Sequence, residues 1–173
     1  MHAYSVIDHI PLPLSMRLPY DTAELLRRAI LGILLFGLAG TGVELLLLKH
    51  TDGFWQWSPL ALIALAMAVV AWHALTRGAG SVRALQLLMG LNLASGIVGF
   101  AQHFSGNLGY ARDSNPSVAG MELYTEALLG STPTLAPGTM IVLALLGFAY
   151  AIRHPSLSVT STSDESTSTT NKP

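Results

Sequence analysis

Residues 29–48 read AILGILLFGLAGTGVELLLL, an apolar run with a single charge, Glu44. As a helix, a run of this length crosses a hydrocarbon core of about 30 Å. Further apolar runs occupy residues 55–75, 84–104 and 135–152. In lipid every backbone polar group must be bonded within its own segment, so such runs fold as helices. The expected fold is all-α: an integral membrane four-helix bundle over 21–154, its neighbours joined by short links.

Composition supports a bilayer as the solvent. Charged residues make up 11% of the chain, against about 25% in soluble domains. The formal net charge of −1 offers nothing to a phosphate backbone, so no nucleic-acid partner is expected. The chain has no cysteine, which removes disulfides, thiol catalysis and thiolate metal sites.

The flanks differ from the middle. Pro11, Pro13 and Pro19 interrupt residues 1–20, which read as an extended N-terminal arm. No basic segment precedes a short apolar core there, so a cleaved signal peptide is not expected. Asp21 or Thr22 is placed to cap the first helix. Residues 155–173 contain SVTSTSDESTSTTNKP, too polar to form a core and read as a disordered tail. Arg17, Arg27, Arg28, Arg77, Arg83, Arg153 and Lys172 fall on one side of the spans, and Lys49 and Arg112 on the other. That bias predicts both termini on the cytoplasmic side of a bacterial inner membrane. Trp55 and Trp57 mark an aromatic belt at the opposite interface. Pro59 and Pro137 are read in the first turns of their helices, where a missing N–H does no harm.

Small residues mark helix contacts in lipid. Gly37 and Gly40 share a helix face with Glu44, Gly96 and Gly99 with Asn92 and His103, and Gly147 lies between Ala144 and Ala151. Glu44 is therefore expected to point into the bundle, about 6 Å below the outer end of its helix. His103 is expected at the same height, as its hydrogen-bond or ion-pair partner. The connection 105–136 is longer than two helices need. Within it, Ser117 is placed to cap a short outer-side helix over 118–129, closed by Gly130. Val118, Met121, Leu128 and Leu129 would form its apolar face, with Glu122 and Glu126 among them.

Three chemistries are open to these residues. Glu44, His50, His103, Glu122 and Glu126, with Asn107 beside them, form a polar cluster or a transition-metal ligand set if the outer loop folds over the bundle. Histidine pairs at matched depth, His50 with His103 and His73 with His154, are the pattern of a haem clamp. The Asn92–His103 stripe could carry protons, although interhelical hydrogen bonding explains it more simply. No E-x-x-H pair of the di-iron bundles and no G-x-S-x-G nucleophile motif is present. Neither a cofactor nor a catalytic residue is therefore predicted.

The run GLAGTGVELLLLKHTDGFWQWSP, Gly37–Pro59, with His103–Asn107 and Leu135–Met140, resembles small bacterial four-helix inner-membrane proteins of unassigned activity. The resemblance implies location and architecture. The expected role is non-enzymatic: an accessory or assembly subunit that contacts the lipid bilayer and other membrane subunits. The alternative is a metal- or haem-binding membrane protein with a site near the outer face.

Overall fold

The computed structural model describes residues 20–158. The N-terminal arm up to residue 19 and the tail from residue 159 lie outside the described residues. Every described element is a helix: α1 Tyr20–Leu47, α2 Phe54–Thr76, α3 Ala79–Ser114, α4 Gly120–Leu128, α5 Gly138–Ala151 and α6 Pro155–Ser158. Three of them, α1 from Thr22, α2 and α3, are long and apolar enough to cross a membrane; α5 is apolar but shorter.

The helix ends depart from the hydropathy edges. Helix α1 already contains Asp21 and Thr22, so neither caps it, and Arg27 and Arg28 lie on its second and third turns. Helix α3 has 36 residues, about 54 Å of rise, so it outruns any bilayer and forms the first third of the expected connection 105–136. Pro59 sits in the second turn of α2, not the first. Its missing N–H would have bonded the Trp55 carbonyl. Ser58 Oγ donates to that carbonyl instead, at 3.0 Å, which lets an apolar helix carry the proline. The first four residues of the expected disordered tail form the turn α6.

Helix α1 packs on α2 and α5, and α3 packs on α2, α4, α5 and α6. Leu34 and Leu38 of α1, Ile63, Ala66 and Val70 of α2, Leu85 and Met89 of α3, and Met140, Leu143 and Ala144 of α5 build one core. Glycines bring α5 close to its neighbours. A Cβ on Gly96 would stand 2.9 Å from the Pro137 carbonyl oxygen, and one on Gly99 3.0 Å from the Pro137 ring. Gly37 lies against Leu143, and Gly147 against Met89. Gly32 and Gly40 face open space instead.

Helix α4 covers the end of α3. It is shorter than its expected 118–129. Its N-cap is Ala119 without a side-chain cap, because Ser117 Oγ bonds the Asn115 side chain at 2.7 Å. Its buried residues are Leu123 and Ala127, whereas Met121, Leu128 and Leu129 of the expected apolar face are exposed. A stack of rings, Phe100 on Phe104 and Phe104 on Tyr124, each at 6.3 Å, ties α4 to α3.

Candidate functional site

Polar side chains concentrate at the two ends of the helix assembly. At the α4 end, Asn107 is 4% exposed and holds the loop between α4 and α5. Its Nδ2 lies 3.0 Å from the Ala127 carbonyl, 2.7 Å from the Thr132 carbonyl and 3.0 Å from Thr134 Oγ1. Its Oδ1 accepts the Thr132 N–H at 3.2 Å. Thr134 Oγ1 donates onward to the Ala127 carbonyl at 3.2 Å. Gly130 is required by this latch, since a Cβ there would stand 2.9 Å from Asn107 Cβ.

His103 joins the same loop. Its Nδ1 lies 2.9 Å from the Pro133 carbonyl; a carbonyl only accepts, so Nδ1 carries the proton. His103 is thus engaged with Pro133 and not with Glu44. Glu44 points outward and is exposed. The buried face of α1 is set by Leu34 and Leu38, which turn Gly40 and Glu44 to the outside. His50 is half-buried; burial first, then the His103 imidazole, hold it below the ordinary histidine range. Glu122 and Glu126 are exposed on α4. Among the described residues no group of three histidine, aspartate or glutamate side chains converges as a metal site.

At the opposite end, where α2 turns into α3, lies a cluster built on the expected pair His73 and His154, with Tyr150 as a third member that hydropathy did not indicate. His73 of α2, Tyr150 of α5 and His154 beyond α5 are all buried. The His73 and His154 ring centroids are 5.1 Å apart and nearly perpendicular. Tyr150 stands 5.9 Å from His73 and 5.1 Å from His154. The signal for Tyr150 was its place at the same end of the apolar helices as the two histidines.

The tautomers follow from the partners. Ser81 Oγ donates to the Gly78 carbonyl at 2.8 Å, so its one proton is committed. The 2.7 Å contact of His73 Nδ1 with Ser81 Oγ is therefore an Nδ1–H donation to oxygen. His154 Nδ1 accepts the Ser156 N–H at 3.3 Å, which puts the proton of the neutral ring on Nε2. Ser156 Oγ donates to the Arg77 carbonyl at 2.7 Å, and Arg27 donates to the Arg153 carbonyl at 3.0 Å. The cluster thus binds the ends of α1, α2, α3 and α5 together.

Burial, then the neighbouring His73 imidazole and the Arg27 guanidinium, push His154 below its ordinary value, and Glu24 opposes them. A depressed folded-state value means the unfolded chain takes up the proton first. Stability is therefore full above the unfolded value of about 6.5 and is lost as pH falls below it. Thermal melts in detergent at pH 7.5 and 5.5 should show a lower midpoint at 5.5. The variant His154→Gln should narrow that difference.

Asn92 is the remaining buried polar side chain in the apolar part of α3. Its Nδ2 donates to the Leu88 carbonyl at 2.8 Å, and its Oδ1 has no hydrogen-bond partner among the described residues. No protein-family model, curated protein or solved structure matches the chain.

Proposed function

We propose that the chain is a non-enzymatic four-helix protein of the bacterial inner membrane, with both termini cytoplasmic. In this reading α1, α2, α3 and α5 cross the bilayer. The protein serves as an accessory or assembly subunit that other membrane subunits contact along α1. Several features support the location. Trp55 and Trp57 are exposed near one end of α2 and Trp72 near the other, as expected of residues at two interfaces. The distance from Ser81 to Gly99 along α3 is about 27 Å, close to a hydrocarbon thickness, and Pro137 at the start of α5 meets Gly99. The part of α3 beyond this level carries α4 outside the bilayer.

The role rests on one observation: Glu44 is an exposed carboxylate on an apolar helix face. Val43, Leu46 and Leu47 around it are exposed as well. A charge facing hydrocarbon is costly without a partner, and no described side chain pairs with Glu44. Gly40, one turn away, leaves a notch open to the outside where a second helix can approach closely.

Extraction of native membranes in mild detergent tests this reading. The wild-type chain should co-purify with defined membrane subunits, and Glu44→Gln and Gly40→Leu should each weaken that association several-fold. A wild-type chain that purifies without partners would contradict the reading. A stoichiometric transition metal or a Soret band in the pure protein would replace it with the metal- or haem-binding alternative.

A further inference from the structure

Three separate elements bring an arginine to the α2–α3 end: Arg27 on α1, Arg77 after α2 and Arg153 after α5. The hydrogen bonds already described draw their chain segments together. Arg27 reaches the Arg153 carbonyl, and Ser156 clips the same segment to the Arg77 carbonyl. Among the described residues the one salt bridge is Arg28 with Glu24, at 2.8 Å. That bond, with the charges of Arg27 and Arg77, holds the Glu24 carboxyl below its ordinary value, so this one carboxylate is shared among three guanidinium groups and the positive charge there stays in excess.

The backbone adds a second observation. Arg77 and Arg153 have φ of 48° and 47°, as Lys49 after α1 has 52°, in the left-handed region that favours glycine. Glycine is the favoured residue at both positions. A left-handed residue is a common helix ending, and at these two it places a basic side chain at the end of α2 and of α5. The neighbours of these arginines in sequence, Leu26, Leu75 and Ile152, are exposed. Cations next to exposed hydrocarbon match a molecule with an anionic head and apolar chains.

We propose that Arg27, Arg77 and Arg153 bind the phosphate headgroup of an anionic phospholipid, with its acyl chains along Leu26, Leu75 and Ile152. The proposal rests on the membrane reading above and is independent of the partner-subunit reading. Guanidinium–phosphate pairing is charge-assisted and geometrically specific, and basic sites between helix ends recognise such headgroups.

The test uses the full chain in nanodiscs of phosphatidylcholine alone, of phosphatidylcholine with phosphatidylglycerol, and of phosphatidylcholine with added inorganic phosphate. The double variant Arg77→Gly, Arg153→Gly removes two charges while relaxing the backbone, so it should fold. Phosphatidylglycerol should raise the wild-type melting midpoint, and inorganic phosphate should not. The double variant should melt at least as high as wild type in phosphatidylcholine, lose the phosphatidylglycerol response and retain several-fold less of that lipid in native mass spectrometry. An equal response in the double variant, or a shift reproduced by inorganic phosphate, would overturn the proposal. A chain that does not enter nanodiscs at all would overturn the membrane reading beneath it.

Discussion

Replacing Asn107 with alanine should destabilise the α4 end more than any other single change of a polar residue. The side chain makes contacts with Ala127, Thr132 and Thr134, and its removal strands the part-buried Thr132 carbonyl and N–H, while the Ala127 carbonyl keeps only Thr134 Oγ1. Each hydrogen bond contributes about 1 kcal/mol net, and each stranded buried group costs about 1–3 kcal/mol. A total of about 3–5 kcal/mol is expected on that basis. Asn107→Asp should be no milder, because it retains the acceptor for Thr132 but sets a carboxylate against oxygens. Hydrogen exchange should rise over residues 120–136 and stay unchanged in the core around Leu85 and Met89. Gly130→Ala attacks the same latch from the other side. The two changes together should cost less than their sum, since either one opens the loop. Additive costs would mean that Asn107 does not act through this loop.

The second large effect is expected at Gly96. A methyl group there meets the Pro137 carbonyl oxygen at 2.9 Å and the Ile141 nitrogen at 3.2 Å. Both are backbone atoms, so no rotamer change makes room and α5 must move off α3. Overpacking of this kind costs about 1–3 kcal/mol. The gain in helix propensity from glycine to alanine, up to about 1 kcal/mol, offsets part of it. Gly147→Ala should be milder, because its obstacle is the flexible Met89 side chain. Gly32→Ala should be neutral or stabilising, with open space at its Cβ. Midpoints from thermal unfolding in detergent should rank Gly96→Ala lowest of the three. A Gly96→Ala protein as stable as wild type would mean that α3 and α5 are not in close contact there.

The long apolar helices were legible because runs of twenty or so apolar residues fold as helices, and hydropathy reports such runs directly. Their ends were not. Residues 105–114 of α3 carry Ser105, Gly106, Asn107 and Gly109, which read as a loop. Buried contacts of Asn107 and Ala111 keep them helical. The rule that glycine marks a contact face placed Glu44 inward, yet large residues can set the buried face equally well. On α1 Leu34 and Leu38 did so, and Gly40 was left outside. Asn107 was recognisable as polar and out of place, but its partners come from a loop whose path no periodicity encodes. His73 and His154 were each visible at matched depth. What hydropathy could not supply was the rotation of α2 against α5 that brings their rings together.

The membrane topology is the claim from which the partner face and the lipid site both follow, and the absence of cysteine makes it directly measurable. Single cysteines placed at exposed positions, Thr76→Cys and Ser131→Cys, can be labelled in intact cells with a membrane-impermeant maleimide. The bundle with cytoplasmic termini predicts that the cysteine at position 131 labels in intact cells, and the one at 76 only after the membrane is permeabilised. The reverse pattern, or equal labelling of both in intact cells, would contradict it.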